Sequence, residues 1–222
     1  MRKILLSSLW LILAAAVVWG ADAAVTESST GKSFPAVRRV ATDAGDAEVV
    51  CVGTGVRTKL VIKVYALGFY VEEAYRQKVR PGWQKQAPTI DRLQETPAFF
   101  DSLMRDAYVR QFELQFVREV EADKIQDAFG EGIEDNLPEM KSNSQVAADA
   151  RRFIGWFKNT AKENDRLVIT IGADGAITAH QNQAELGRLK NPVLAKGVTG
   201  IWLGRKCISD SLKEGLVTRF YR

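Results

Sequence analysis

The sequence has very few of the residues that build metal centres and acid–base sites. Among its 222 residues it contains one histidine, His180, and two cysteines, Cys51 and Cys207. A structural zinc site takes four nitrogen or sulfur ligands, so these three side chains cannot form one. Any histidine-based acid–base chemistry would rest on a single residue. We therefore expect no metal site.

The chain also lacks a large excess of charge of one sign. It carries 31 Lys and Arg against 27 Asp and Glu, a net charge of +4. The basic residues are interleaved with acidic ones, apart from short runs such as Arg76, Lys78 and Arg80. Proteins that bind nucleic acid usually cluster their basic residues on one face. Nucleic acid is therefore not an expected partner.

Common cofactor and catalytic motifs are missing. Gly53-x-Gly55 lacks the third glycine of a dinucleotide-binding fingerprint, and a strand pattern follows it instead of a helix. We find no phosphate-loop lysine motif, no nucleophile elbow and no paired histidines. We therefore expect no cofactor, and composition alone indicates only an ordinary globular domain.

The first 23 residues have the pattern of a secretory signal peptide. Arg2 and Lys3 precede an apolar run at 4–18, and Ala21-x-Ala23 provides small residues before a cleavage site at Ala24. The run has roughly fifteen residues, fewer than the ~20 that a membrane-spanning helix needs, so we favour a cleaved signal over an anchor. We expect a periplasmic or secreted protein with no stable membrane insertion after cleavage.

Export leaves two interpretations of the cysteines open. In an oxidising compartment Cys51 and Cys207 could form a disulfide. Cysteine is also a common buried residue that behaves as a small hydrophobe. The sequence does not decide between these interpretations.

Hydrophobic periodicity predicts an α+β domain at 34–222, after a flexible polar leader at 24–33. The strongest strand pattern is at 48–73, where glycines predict a bend or bulge. Pro81-Gly82 predicts a turn. Further strands are predicted at 108–120, 166–171 and 176–181, and helices at 89–95, 97–106, 125–136, 144–162, 192–202 and 209–220. This order favours helices on one face of an antiparallel sheet.

Arg57 and Tyr65 are the most suggestive pair of polar side chains. They are eight residues apart, so they share a face if the strand is unbroken. A guanidinium beside a phenol is well suited to bind a carboxylate, a phenolate or an enolate. Alternatively, Arg57 with Lys59 and Lys63 forms the solvated face of a half-buried strand. Spacing alone leaves both interpretations open.

The stretch from Gly53 to Val71 (Gly-Thr-Gly-Val-Arg through Tyr-Ala-Leu-Gly-Phe-Tyr-Val) resembles the signature strand pair of the chalcone isomerase family. It is most similar to the exported bacterial branch of that family. Segments 125–136, 165–175 and 191–204 agree, and the resemblance covers about residues 34–220. It implies an open-faced β-sandwich of the chalcone isomerase type. In this fold, helices cover one face of a large antiparallel sheet and a ligand cleft lies between them.

The resemblance also suggests site residues. In the plant isomerases, a phenolate adds to an enone while an arginine stabilises the developing enolate. Arg57 matches that arginine, and Tyr65 stands in place of a threonine. Phe129 and Asn136 match a tyrosine and an asparagine of one helix, and Ala195 matches a serine or threonine of another. Because only the arginine and the asparagine are retained, we expect little or no flavanone formation.

Arg57 with Tyr65 is more similar to the non-catalytic fatty-acid-binding members of the family, in which arginine and tyrosine hold a carboxylate. The resemblance thus implies a site for a small amphipathic anion, such as a fatty acid, formed by Arg57, Tyr65, Phe129, Asn136 and Ala195. Arg57 would be catalytic only if the protein is an enzyme. Two alternatives stay open: an intramolecular lyase or isomerase with an enone or phenolic substrate, and a non-catalytic interaction domain. The oligomeric state is also left open.

Overall fold

The computed structural model describes residues 24–43 and 45–222, so the predicted signal peptide at 1–23 lies outside the described residues. The fold is α+β and is built on a seven-stranded antiparallel sheet of order β3-β4-β5-β6-β7-β8-β9, next to a small β1–β2 hairpin. The strands are β1 (Ala24–Thr26), β2 (Ser33–Pro35), β3 (Val37–Thr42), β4 (Gly45–Lys59), β5 (Ile62–Glu72), β6 (Arg110–Phe116), β7 (Arg166–Ile171), β8 (Ala176–Gln181) and β9 (Ala184–Lys190). The helices are α1 (Glu73–Gln86), α2 (Ile90–Gln94), α3 (Pro97–Arg105), α4 (Ala122–Asn136), α5 (Ser144–Ile154), α6 (Pro192–Leu203) and α7 (Asp210–Gly215), with a short 3-10 helix at Pro138–Lys141.

One face of the sheet, here called the helix-side face, carries the main core. Side chains alternate between the two faces of a strand, so Leu67 and Phe69 of β5 lie on this face, with Phe112 of β6 stacked on Phe69. Helix α6 is buried along nearly its whole length, and its Trp202 stacks on Phe112. Its first turn is capped by the Asn191 side chain, which accepts hydrogen bonds from two backbone N–H groups. The predicted α+β architecture is confirmed.

The sheet curls strongly, so that its opposite face is concave. Arg188 of β9 forms an ion pair with Asp43, just beyond β3, at 2.6 Å, although β3 and β9 are the two edge strands. The β1–β2 hairpin lies over the concave face, where its Phe34 ring packs tightly against Gly68. A second apolar cluster thereby forms around Phe34 and Tyr70.

The strand pattern at 48–73 corresponds to two paired strands instead of one bent strand. β4 and β5 form a hairpin around a two-residue turn, Leu60-Val61, and the expected irregularity occurs as a bulge between Cys51 and Gly53. The turn could not be recognised in the sequence because it has neither glycine nor asparagine, the residues that such turns favour. Leu60 takes the left-handed conformation itself, with φ of 57°.

The flexible leader predicted at 24–33 is replaced by an ordered hairpin. β1 pairs with β2 in register, and the Glu27 carboxylate closes the turn by accepting hydrogen bonds from Ser29 and Thr30. The hairpin is held to the domain because Phe34 of β2 is fully buried. Its small polar residues satisfy one another locally, so composition gave no sign of this structure.

Pro81 and Gly82 lie inside α1 and do not form the predicted turn. The helix continues through them, and its one buried residue, Arg76, anchors its first turns by an ion pair with Glu73 and by hydrogen bonds to the backbone carbonyls of Phe220 and Arg222. The helices predicted at 144–162 and 209–220 are shorter than expected, and the edge strands β3 and β9 were not predicted.

The two cysteines are not joined. Cys51 is buried on the concave face, whereas Cys207 lies in the connection between α6 and α7 on the helix side. The sheet separates them, so both thiols stay free. Within 24–43 and 45–222 no cluster of His, Cys, Asp and Glu suitable for a metal is present. The same residues contain no helix with the length and apolar character needed to cross a membrane.

Candidate functional site

Arg57 and Tyr65 are direct cross-strand partners in the β4–β5 hairpin. The sequence placed them on one face of a single strand. The structure places them on neighbouring strands, where residues directly opposite each other also share a face. That face is the helix side, because Tyr65 belongs to the main core. The reasoning from an unbroken strand was therefore wrong, but the juxtaposition that it predicted is present.

The Tyr65 hydroxyl is buried, and its own proton has no hydrogen-bond acceptor among the described residues. It accepts a hydrogen bond from the indole N–H of Trp202 at 3.1 Å. Burial raises the pKa of the Tyr65 phenol to about 12, and the Trp202 N–H and the charge of Arg57 oppose that rise only in part. The phenol therefore keeps its proton at neutral pH. No acceptor for this proton is present in the part of the chain that the structure describes.

Arg57 carries a half-buried positive charge without a carboxylate partner. One of its terminal nitrogens donates to the backbone carbonyl of Ile208, in the α6–α7 connection. Among the described residues, no aspartate or glutamate forms an ion pair with this guanidinium. A guanidinium that is partly shielded from water and lacks a counterion attracts an anion, and its planar fork suits a carboxylate.

The protonation state of Tyr65 leads to a prediction at alkaline pH. The unfolded phenol loses its proton near its ordinary pKa of 10, whereas the folded one holds it to about 12. The stabilisation is thus complete below pH 10 and is lost as the pH rises from 10 to 12, an effect of about 2–3 kcal/mol. We expect Tyr65→Phe to flatten the fall in stability over this range, in urea unfolding at pH 9 and pH 11.5. Identical losses in both proteins would contradict the pKa of Tyr65.

Phe129 lies at the edge of the aromatic group that backs this pair. Its ring meets Trp202 edge-on, with centroids 6.0 Å apart, and it also packs against Phe153 and Phe157. Phe129 is therefore linked to Tyr65 through Trp202. The predicted apolar character of this position is present, in a closely packed core.

Asn136 holds two chain segments together. Its amide donates to the carbonyls of Gly132 and Lys206, both at 3.0 Å, and its oxygen accepts the Lys206 N–H. The side chain also fills the space left by Gly200 and Gly204, where any Cβ would collide with it. Asn136 thus fastens the end of α4 to the connection that carries Ile208, and through it positions Arg57.

Ala195 lies two helical turns before Trp202 on α6, about 10 Å along the helix axis. Its carbonyl accepts the Thr199 hydroxyl, which in turn accepts a hydrogen bond from the buried Arg110. The structure therefore gathers Arg57, Tyr65, Phe129 and Asn136 around Trp202 and the α6–α7 connection. Ala195 is near a different polar group, Arg110.

Two cavities lie on the concave face. The larger one measures about 340 Å³ and is open to solvent. Its polar lining includes Arg38, Arg39, Gln111, Thr170, His180 and Arg188. None of the five candidate residues lines it or its smaller neighbour. The space between sheet and helices near Tyr65 is filled by aromatic side chains, so the predicted cleft is closed in this structure.

With this geometry established, the chain can be compared with known proteins. The family model of chalcone isomerase-like proteins matches residues 92–218, more than half of the chain. The protein belongs to the chalcone isomerase-like family. The crystal structure of a fatty-acid binding protein from Arabidopsis thaliana superposes on 90% of this chain and 98% of its own, with a TM-score of 0.70 at 20% identity. This likeness confirms the fold. No curated protein sequence matches significantly.

Sequence reasoning missed Trp202 and Arg110. Arg110 has the same parity along β6 as Phe112 and Leu114, and this placed it on the apolar face. The strand pattern therefore indicated that Arg110 is on the buried face, although an arginine at a strand end is normally taken as exposed. The contact between Trp202 and Tyr65 joins residues 137 positions apart, so no local pattern could have revealed it.

Proposed function

We propose that the protein binds a small amphipathic anion of the fatty-acid class at Arg57 and Tyr65. The observation that carries this proposal is the Arg57 guanidinium, which has no acidic partner and lies beside a neutral phenol whose proton has no acceptor among the described residues. Together they offer a carboxylate one charged and one neutral donor. The structural likeness to a fatty-acid binding protein supports the same ligand class.

The closed core defines how such a ligand would enter. One terminal nitrogen of Arg57 donates to the Ile208 carbonyl, so a carboxylate that binds both terminal nitrogens would take the place of that carbonyl. The acyl chain would then lie among Phe129 and Trp202, whose aromatic rings provide an apolar lining. Both changes require displacement of the α6–α7 connection. Binding is therefore coupled to movement of residues 204–209.

The direct test is a fluorescence displacement titration of laurate or palmitate on Arg57→Ala and Tyr65→Phe. A hydrogen bond to a charged group contributes about 1.5–3 kcal/mol and a neutral one about 0.5–1.5. We therefore expect Arg57→Ala to weaken binding about ten- to a hundredfold, and Tyr65→Phe about tenfold or less. Arg57→Lys should restore binding only in part, because an ammonium lacks the bidentate fork.

Arg39→Ala is the matched control for this titration. Arg39 is an exposed arginine that lines the concave-face cavity, and it pairs with Glu48 at the opposite end of β4 from Arg57. Its removal should leave the affinity unchanged. Unchanged affinity in Arg57→Ala, with a normal melting curve, would show that Arg57 does not bind the ligand and is only part of the solvated face of the strand. A loss in Arg39→Ala alone would place the ligand in the concave-face cavity.

We also propose that the protein belongs to an exported bacterial branch of the family and acts in the periplasm or outside the cell. The basic start, the apolar run at 4–18 and the small residues Ala21 and Ala23 support this. We expect the mature chain to begin at Ala24 when it is produced with its own leader in a bacterial host. N-terminal sequencing of the periplasmic fraction tests this. Retention of residues 1–23 in the membrane fraction would contradict it.

A further inference from the structure

Three apolar side chains project into solvent at the turn of the β4–β5 hairpin. Leu60 is 93% exposed, Val61 91% and Ile62 47%. Within the described ranges, the only other large apolar side chain that is exposed is Val37, at 41%. Single exposed hydrophobic residues are ordinary on a protein surface, but a contiguous group indicates an interaction site. We call Leu60, Val61 and Ile62 the apolar tip.

The geometry of the turn does not explain these residues. Leu60 and Val61 form the two-residue loop between Lys59 and Ile62, and Leu60 has a positive φ of 57°. Glycine, asparagine or aspartate fits such a loop at lower conformational cost. A leucine here is strained and contributes nothing to the core. Its side chain is therefore better explained by a contact outside the domain.

Two lysines flank the apolar tip. Lys59 and Lys63 are both exposed, and neither forms an ion pair with any described residue. The Lys63 ammonium donates instead to the backbone carbonyl of Ser29, in the turn of the β1–β2 hairpin. An apolar point between two cations matches a membrane surface, where acyl chains lie beneath anionic headgroups.

We propose that the apolar tip docks the protein onto an anionic phospholipid surface. Leu60 and Val61 enter the outer 5–10 Å or so of the bilayer, while Lys59 and Lys63 stay among the headgroups. The contact is peripheral and spans nothing. Arg57 lies two residues before Lys59, roughly 10 Å from the tip along the strand. A docked hairpin thus brings the Arg57–Tyr65 pair close to the lipid surface, although docking itself does not depend on what that pair binds.

The size and charge of the patch favour lipid over a protein partner. Three side chains are far smaller than the ~800 Å² that each partner of a stable protein complex buries. A symmetric contact with a second copy would also bring the lysines of both tips together. A lipid surface needs no matching partner surface, and it is stabilised by the same two charges.

A position-specific test uses Val61→Trp and the matched control Val37→Trp. Each full chain is mixed with vesicles that contain phosphatidylglycerol and brominated phosphatidylcholine, which quenches tryptophan only within the bilayer. We expect a blue shift and strong quenching that are specific to Val61→Trp, with Val37→Trp no different from the unsubstituted chain. The N-terminal apolar run is the same in all three proteins, so it contributes equally. Equal quenching at 61 and 37 would overturn the proposal.

Cosedimentation with the same vesicles measures the strength of docking. Leu60→Ser with Val61→Ser should lower the partition coefficient about tenfold or more. Lys59→Gln should weaken only the salt-sensitive binding to anionic vesicles, whereas the exposed Lys85→Gln should not. All these variants should melt like the parent protein, because the substituted side chains are exposed. An unchanged partition coefficient, or a self-association that the tip variant abolishes, would overturn the assignment to lipid.

Discussion

Replacement of Arg38 by methionine is expected to lower the free energy of unfolding by about 3–5 kcal/mol. Arg38 reaches from the edge strand β3 across the concave face to Glu113 on β6, whose side chain is 1% exposed. Loss of the arginine leaves this buried carboxylate with a hydrogen bond from Gln115 and with one cationic partner among the described residues, Arg166, which is more than half exposed and 3.7 Å away. An uncompensated buried charge costs far more than the pair contributes when intact.

Urea unfolding of the single and double variants separates these effects. Arg38→Met with Glu113→Leu removes both charges, and we expect most of the lost stability to return. Arg92→Met is the matched control, because Arg92 pairs with Glu95 where both side chains are about 70% exposed. Such surface pairs contribute about 0–1 kcal/mol. If Arg38→Met lowered the free energy of unfolding no more than Arg92→Met does, the Arg38–Glu113 ion pair would not stabilise the fold.

This buried pair shows what the sequence could and could not predict about the fold. The alternation in β6 correctly separated Phe112 and Leu114 from Glu113. An alternating antiparallel strand commonly has a solvated polar side, yet every residue of β6 is buried. The polar side is covered because the sheet curls and brings Arg38 over it. Curl arises from the accumulated twist of seven strands, a property of the whole sheet that no single strand pattern contains.

The candidate site, like the fold, could be predicted from the sequence only in part. The resemblance placed Arg57, Tyr65, Phe129, Asn136 and Ala195 in one site. The structure brings the first four together around Trp202 and the α6–α7 connection, and it leaves Ala195 near Arg110. The resemblance did not predict their partners. Asn136 bonds to the backbone on both sides, so in this chain it orders the α6–α7 connection. A family position indicates where a side chain lies, whereas its role depends on neighbours far away in the sequence.

The glycines of the Gly53-x-Gly55 motif have a structural role, because they allow α7 to pack closely against β4. α7 and the residues after it lie directly on β4, so a Cβ at Gly53 would come within 2.4 Å of the Gly215 carbonyl oxygen. At Gly55 it would meet the side chain of Leu212 at 2.7 Å. The contact extends to the C-terminus, where the Arg219 N–H donates to the Val52 carbonyl. The motif thus allows a helix to approach the strand that carries Arg57.

Gly53→Ala should therefore destabilise the protein by about 3 kcal/mol or more, because the clash is with backbone that cannot rotate away. Gly82→Ala is the matched control. Gly82 lies inside α1 with no atom within 4 Å of an added Cβ, so alanine should stabilise the protein by about 0.5–1 kcal/mol. Thermal melts of both variants should thus shift in opposite directions from the parent. A Gly53→Ala protein that melts within a degree or two of the parent would show that α7 can lift from β4 at little cost. The α6–α7 connection, Ile208 included, would then not be held firmly over Arg57.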